Sequence, residues 1–326
     1  EVTPWTKHVV TDTFNAKDMF TGDIDGDGKE EFVAIDPMAK RMFSWFDHEL
    51  VEGEHQWTEH IVDDTFLPAD FELQDIDKDG DLDILMAGQC TAGEISPSNE
   101  TCLESLMFWF ENVDRGNSWE RQVIGEMGAI GANYLASGDM DRDGDLDVVA
   151  PQFFVTNYPT LVVTGPSDIT GDTLAWFENP GTGGAVFDLW DRYTIDNWYT
   201  SSNPLGKGFE VILSDLDNDG EIELIVGSNE YLTDEEAYNS RFVVFDLSTG
   251  NLEFESNIFE GSMNGPYVGD MDSDDTVEIL VNLYDTVREE STLHVFSIDG
   301  MTTVESSPIT PGEIELGQNY PNPFNP

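Results

Sequence analysis

Basic side chains are scarce in this chain of 326 residues, in which 13 Lys and Arg stand against 67 Asp and Glu and the formal net charge is -54. Nucleic acids and anionic lipids are bound through Lys and Arg, because these residues neutralise phosphates. A chain this acidic repels both, so we expect no nucleic-acid partner. The excess charge also favours a secreted protein from saline surroundings, with a generic acidic secreted protein as the alternative.

Cysteine and long apolar runs are also nearly absent. No stretch approaches the roughly 18 apolar residues of a membrane-spanning helix, so we expect no membrane insertion. The two cysteines, Cys90 and Cys102, share one polar segment, where a disulfide would stabilise the fold by about 3 kcal/mol in the chain-entropy model. Disulfides persist in oxidising compartments, and a start at Glu1 without Met is expected after removal of a signal peptide. Both features predict an extracellular protein, with free thiols in a cytosolic protein as the alternative.

A catalytic constellation is not evident in the sequence. There is no G-x-S-x-G motif, and the histidines lie on predicted strands or hairpin turns without the spacing of metal ligands. These are His8, His48, His55, His60 and His294. His8 and His60 occupy equivalent repeat positions, which indicates packing. We therefore expect a protein that is not an enzyme, with a polysaccharide-active enzyme as the alternative, since a glycosidase carboxylate pair could be hidden among so many acids.

What the chain has in abundance is one acidic motif. Residues 215–227, DLDNDGEIELIVG, carry carboxylates at positions one, three, five and nine and a glycine, Gly220, at position six. Alternating carboxylates can converge on one cation while glycine lets the backbone turn, and hard oxygen ligands suit calcium. An EF-hand would place Glu at position twelve and continue as a helix, but Val226 stands there within a short apolar run. The motif predicts a calcium loop that leads into a β-strand.

The motif occurs five times, always with an acid at position nine and never at position twelve. Crowded carboxylates repel one another without a cation, which favours metal binding over a solvated acidic turn. We predict about five Ca²⁺ ions. The predicted side-chain ligands are Asp23, Asp25, Asp27, Glu31, Asp75, Asp77, Asp79, Asp83, Asp139, Asp141, Asp143, Asp147, Asp215, Asp217, Asp219, Glu223, Asp270, Asp272, Asp274 and Glu278. In the fifth copy Asp275 replaces the glycine of a turn that can need positive φ, so metal binding there is an open question.

Each motif belongs to a repeat of four predicted strands. A short strand such as 70–74 precedes the motif, an aromatic strand such as 106–114 follows it, and a Trp-led strand such as 57–62 ends the repeat. Four antiparallel strands repeated around an axis form a β-propeller. The sequence thus predicts an all-β propeller over residues 1–305 with five blades, closed by an N-terminal strand at 5–10. A ring of six or seven blades is the alternative, and it would need blades that lack the motif.

These features resemble the FG-GAP and VCBS repeat proteins, a family of calcium-decorated β-propellers. The resemblance rests on D-x-D-x-D-G-x-x-D/E and on the WFEN strand. It implies that positions one, three, five and nine bind Ca²⁺ by side chain and position seven by its backbone carbonyl. The Pro- and Gly-rich tail 306–326 ends in LGQNYPNPFNP, which resembles the start of the C-terminal sorting domain of proteins exported by the bacterial type IX secretion system. This second resemblance implies a bacterial protein secreted to the cell surface.

Insertions follow the motif strand at 89–105, 152–173 and, in a shorter form, 229–240. We expect them on the face opposite the calcium loops, near the joining loop 196–207, where long loops on a rigid scaffold often serve recognition. Candidate ligand contacts, with packing against the disc as the alternative, are Phe153, Phe154, Tyr158, Trp198, Tyr199, Tyr231 and Tyr238. The predicted function is a cell-surface binding or adhesion module for an extracellular glycan or protein. The alternative is a self-assembling subunit of a filament or layer, whose tail 312–326 docks on a neighbouring copy.

Overall fold

The fold is seen in a computed structural model of the chain. It describes residues 7–36, 43–64, 68–88, 106–126, 132, 134–151, 174–181, 189–196, 208–232, 237–247, 251–271, 276–285 and 288–297. These residues form strands and turns, and within them no helix is long and apolar enough to cross a membrane.

Five antiparallel sheets form the blades of a five-bladed β-propeller, as the repeats predict. Blade 1 contains β1 (Asp18–Gly22), β2 (Glu31–Ile35), β3 (Phe43–Val51) and β4 (Glu54–Asp63). Blade 2 contains β5 (Pro68–Gln74), β6 (Asp83–Gly88), β7 (Leu106–Asn112) and β8 (Trp119–Glu126). Blade 3 contains β9 (Ala136–Gly138), β10 (Asp147–Pro151), β11 (Leu174–Glu178) and β12 (Asp191–Asp196). Blade 4 contains β13 (Gly208–Ser214), β14 (Glu223–Leu232), β15 (Ala237–Asp246), β16 (Asn251–Glu255) and β17 (Phe259–Glu260). The described part of blade 5 contains β18 (Ser262–Gly269), β19 (Glu278–Asp285) and β20 (Glu290–Phe296).

Strands that follow one another in the chain are neighbours in the sheet, apart from β17, which pairs with β15. Each acidic motif follows the first strand of its blade and precedes the second, and the four motifs described throughout lie on one face of the disc, which we call the loop face. The second strand is the most buried, and all residues of β6 and β10 are buried. A strand covered on both sides needs apolar residues at every position, which explains the short apolar run after each motif.

Hydrophobic clusters between successive blades hold the disc together. One cluster lies between each pair of neighbours from blade 1 to blade 5. The aromatic strands supply edge-to-face ring contacts across these boundaries, as between Phe43 and Phe110 with centroids 4.8 Å apart, and between Phe242 and Phe296 at 4.9 Å. The aromatic periodicity of the sequence is thus a packing feature.

The insertion predicted at 229–240 lengthens a hairpin instead of forming a loop. β14 runs to Leu232, β15 begins at Ala237, and Tyr231 pairs with Tyr238 in register. β17 then pairs with β15 at Asn239 and Ser240. Backbone pairing on both sides of β15 makes this insertion a three-stranded projection on the face opposite the loop face.

Several sequence predictions fall outside the described residues. These are the insertions 89–105 and 152–173, the tail 306–326, both cysteines, and Phe153, Phe154, Tyr158, Trp198 and Tyr199. Residues 5 and 6 of the predicted closing strand also lie outside, and 7–10 are described without strand pairing, so closure by this segment stays a prediction. The segment before β1 packs on blade 1, where the ring of Phe14 lies 5.4 Å from that of Phe46.

Substitution of a glycine at the boundary between blades 2 and 3 would test this packing. A Cβ on Gly125 would lie 2.4 Å from Cε1 of the buried Phe177 ring. We expect Gly125→Ala to reduce the free energy of unfolding by about 1–3 kcal/mol, because the core must shift to admit the methyl group. The control Gly269→Ala adds a methyl group that meets nothing within 4 Å. Chemical denaturation should place that control within about 0.5 kcal/mol of the wild type, and equal loss in both variants would contradict the prediction.

Candidate metal sites

Carboxylates converge in the four acidic loops whose residues are described throughout. In each loop, three side chains offer oxygens that all lie within 4.8 Å of one another. The sets are Asp23, Asp25 and Asp27; Asp75, Asp77 and Asp83; Asp139, Asp141 and Asp143; and Asp215, Asp217 and Glu223. The remaining predicted ligands of these loops are Glu31, Asp79, Asp147 and Asp219. Three of the four predicted carboxylates therefore converge in each described loop.

Backbone N–H groups fix these carboxylates in place, as the loop of blade 2 shows. The Gly80 N–H donates to Asp75 Oδ2 at 3.2 Å, and the Asp79 N–H donates to Asp77 Oδ1 at 3.2 Å. The Asp81 N–H in turn donates to Asp79 Oδ1 at 2.9 Å. Such bonds between Asp side chains and the backbone two residues ahead are typical of tight turns. They hold the acidic groups close together although these like charges repel one another.

Two residues of each described loop adopt left-handed backbone angles. In blade 2 they are Lys78 at φ 62° and Gly80 at φ 98°. The same two positions have positive φ in the other three loops, at Gly26 and Gly28, Arg142 and Gly144, and Asn218 and Gly220. Glycine at position six is favoured because φ there is 85–98°, whereas position four accepts Lys, Arg or Asn at 61–66°. Asp275, which replaces it in the fifth copy, lies outside the described residues together with Asp272 and Asp274.

The carboxylate at position nine is buried beneath each loop. It accepts the N–H of the residue after position one, for example from Leu216 to Glu223 Oε2 at 2.7 Å. Burial raises the pKa of Asp83, of Asp147 and of Glu223 to about 7, against the pull of the backbone donors. A carboxylate that is costly to ionise where it lies is stabilised by a nearby cation.

Unpaired oxygens at position one show that the loops fit a cation. Asp23 Oδ1, Asp75 Oδ1 and Asp139 Oδ1 are buried without a hydrogen-bond partner. Buried acceptors without a donor are rare and call for a specific explanation. In the fifth loop, Glu278 accepts the Met271 N–H at 2.7 Å and keeps its Oε1 buried and unpaired. The donor sets contain only oxygen, so they fit a hard divalent ion.

The sequence did not predict a role for the asparagine of the WFEN strands. The Asn112 N–H donates to Asp83 Oδ1 at 2.8 Å, so it holds the second oxygen of the position-nine carboxylate. Its side-chain Nδ2 donates to Ile24 O at 2.9 Å and to Leu82 O at 3.2 Å. Asn112 therefore joins the loops of blades 1 and 2. In blade 3 the Asn179 N–H likewise donates to the position-nine carboxylate, at 2.9 Å. The recurrence of Asn after W-F-E was the available signal.

Basic residues at position four connect successive loops. Lys78 Nζ donates to Asp145 Oδ1 of the next loop at 2.6 Å. Arg142 Nη2 lies 2.9 Å from Glu221 Oε1 and donates to Gly220 O at 3.2 Å in the loop after that. Exposed ion pairs of this kind contribute about 1 kcal/mol at most. Because each pair joins one loop to the next, the loops of blades 2, 3 and 4 are nonetheless connected in series.

A second group of acids lines the first strands and joins blades near the axis. The Leu135 N–H of blade 3 donates to Asp70 Oδ2 of blade 2 at 3.0 Å. Burial, and then the nearby charge of Asp18, raises the pKa of Asp70 to about 7, although that donor and the Lys17 ammonium oppose the shift. Lys17 Nζ itself donates to the backbone of Ala69. Burial lowers the Lys17 pKa in turn.

Two more carboxylates link neighbouring first strands in the same way. Glu72 Oε2 accepts from the Ser137 N–H at 3.1 Å and from its Oγ at 2.6 Å. Glu210 Oε2 accepts the Gly265 N–H at 2.9 Å between blades 4 and 5. Burial raises the pKa of both carboxyl groups. These acids form inter-blade hydrogen bonds, in contrast to the loop carboxylates, which converge on a common centre.

Comparison with known proteins adds no assignment. No protein-family profile matches the chain, and no curated protein is found similar to it.

The raised pKa of Asp70 predicts a pH dependence. Between about pH 4 and about pH 7 the folded chain holds a proton on Asp70 that the unfolded chain releases, so stability falls as pH rises through this window. Asp70→Asn keeps an acceptor for Leu135 without the charge. Thermal melts in calcium should show the variant gaining on the wild type from about pH 4 to about pH 7, with the exposed Asp114→Asn as control. Parallel pH profiles for wild type and Asp70→Asn would contradict the prediction.

Proposed function

We propose that this chain is a secreted, calcium-stabilised β-propeller of the FG-GAP and VCBS type that binds an extracellular glycan or protein. The observation that carries the proposal is the convergence of three carboxylates in each of four described loops, three of which leave a buried oxygen unpaired. Calcium accepts irregular sets of carboxylate and carbonyl oxygens, whereas magnesium demands a near-octahedral set and retains its waters. The loop geometry therefore favours calcium.

Calcium would act by rigidifying the disc. Each ion would cancel the repulsion within its loop and fix the turn between the first and second strands. Because Asn112 and the basic residues Lys78 and Arg142 connect loops of different blades, order in one loop is transmitted to the next. A rigid disc presents the opposite face in one conformation, which lowers the entropic cost of binding a partner there.

The opposite face offers a formed platform for recognition. The β14–β15 hairpin extends beyond the disc on that side, and β17 supports it. Tyr238 is half-buried there, and its carbonyl accepts the Gly261 N–H at 2.7 Å. A tyrosine on a braced hairpin gives a large contact area at low entropic cost. Extracellular location and type IX export are supported by the sequence of the tail and by the cysteine content.

Calcium removal tests the first part of the proposal. We expect EGTA to lower the melting temperature of the calcium-loaded chain by more than about 10 °C. At a free calcium concentration of about 100 times the Kd, each bound ion adds about 2.7 kcal/mol to the free energy of unfolding. Added calcium should restore the melting curve, and the same concentration of magnesium should not. Asp75→Asn should bind one calcium fewer in calorimetry, whereas the exposed Glu260→Gln control should keep the full number. An unchanged melting curve in EGTA would refute calcium stabilisation.

A binding assay tests the second part. The calcium-loaded chain should be retained on particular members of a glycan or protein array, and EGTA should abolish retention. Tyr238→Ala should weaken binding at least tenfold, since aromatic anchors dominate such contacts. The control Tyr193→Ala removes an exposed tyrosine from β12 and should leave binding unchanged. Turnover of a retained glycan would indicate an enzyme, and concentration-dependent polymers would indicate a filament subunit; either would contradict this part.

A further inference from the structure

Three of the five histidines meet beside the β3–β4 hairpin of blade 1. His48 Nε2 and His55 Nδ1 are 2.7 Å apart, and their ring centroids are separated by 4.8 Å. The ring of His8, from the segment before β1, lies 4.1 Å from the ring of His55. The sequence spacing does not indicate metal ligands here, because the fold brings His8 in from more than forty residues away.

The hairpin register explains why two of these rings face each other. A two-residue turn at Glu52 and Gly53, with φ of 54° and 87°, closes β3 onto β4. Leu50 then pairs with His55 and His48 with Trp57, so the two histidines are diagonal neighbours on one face. The Trp57 ring lies 4.4 Å from that of His48 and supports the pair from the side.

The two facing ring nitrogens can both be freed for a metal ion by a change of tautomer. In the His48–His55 hydrogen bond, one nitrogen donates and the other accepts. If an ion binds between them, the donor's proton moves to the other nitrogen of the same ring, and both facing nitrogens present lone pairs.

We propose that His48, His55 and His8 form a surface site for a borderline divalent ion of the Zn²⁺, Ni²⁺ or Cu²⁺ class. Such ions prefer imidazole, whereas calcium prefers oxygen, so this site and the acidic loops would not compete. Tetrahedral zinc with bonds of about 2.0–2.1 Å needs ligand nitrogens roughly 3.3 Å apart. The facing nitrogens thus need to separate by about 0.6 Å, and the His8 ring must turn towards them. His55 and His8 are exposed and His48 is half-buried, so the two exposed rings can make these movements.

Metal binding would fasten the segment before β1 to the outer hairpin of blade 1. His8 is a described residue of that segment with no strand pairing, and its ring contact is to β4. An ion shared between His8 and the hairpin would therefore add a cross-link where the chain enters the first blade. This inference is independent of the calcium proposal, because it involves none of the loop carboxylates.

Zinc titration of the full chain in saturating calcium tests the proposal. Excess calcium competes with zinc for carboxylate oxygens but not for imidazole nitrogens, so the titration reports the histidines. We expect one Zn²⁺ per chain in calorimetry near neutral pH. His48→Ala and His55→Ala should abolish this binding, and His8→Ala should weaken it at least tenfold. The matched control is His60→Ala, since His60 lies on the same strand but stacks on Trp45 at 4.0 Å.

Copper spectroscopy gives an independent readout. The hyperfine pattern of bound Cu²⁺ should report three nitrogen ligands in the wild type and two in His8→Ala, and thermal melts in calcium should confirm that each variant is folded. Absence of stoichiometric zinc binding in the wild type would overturn the proposal. Equal binding in folded His48→Ala and His60→Ala would do the same. Unchanged affinity in His8→Ala would overturn the three-ligand site.

Discussion

Repulsion among crowded carboxylates is the constraint on which the architecture depends. Two like charges 4 Å apart repel by about 4 kcal/mol at the effective dielectric of a protein surface, and each described loop gathers at least three. Backbone N–H donors offset part of this cost, but buried oxygens such as Asp75 Oδ1 receive none. The same loops are the turns that join the first strand of each blade to the second. Whatever neutralises the loops therefore also fixes the blades.

The loops act as a connected set because neighbouring blades share donors. Asn112 holds the position-nine carboxylate of its own blade and the backbone of the preceding loop. Arg142 reaches in the opposite direction, to the loop of the following blade. Beneath them, hydrophobic clusters fill the boundaries between successive blades. Stability in such a ring is cooperative, since a displaced loop disturbs contacts on both sides.

Much of this fold could be predicted from sequence, because strand burial and loop chemistry are encoded locally. The all-apolar β6 and the carboxylates of its loop are examples. What could not be predicted depends on contacts across the chain. Whether 229–240 is a loop or a hairpin depends on pairing with the distant β17, and the meeting of His8 with His55 depends on how the first segment packs. Glu210 and Gly265, 55 residues apart, meet only because blades 4 and 5 are neighbours.

Acidic residues are buried here in two chemically different ways, and the difference indicates which sites suit a metal ion. Near the axis, Asp70 accepts a backbone N–H and has the Lys17 ammonium nearby, so a single proton or that cation can neutralise it. One proton is enough to neutralise Asp70, because no other described carboxylate accepts from the Leu135 N–H. In a loop such as 139–147, three carboxylates point at one centre, and protonating one leaves the others in repulsion. Only a multivalent cation neutralises all of them together, so the loops, and not the axial acids, are where the chain's charge favours a metal ion.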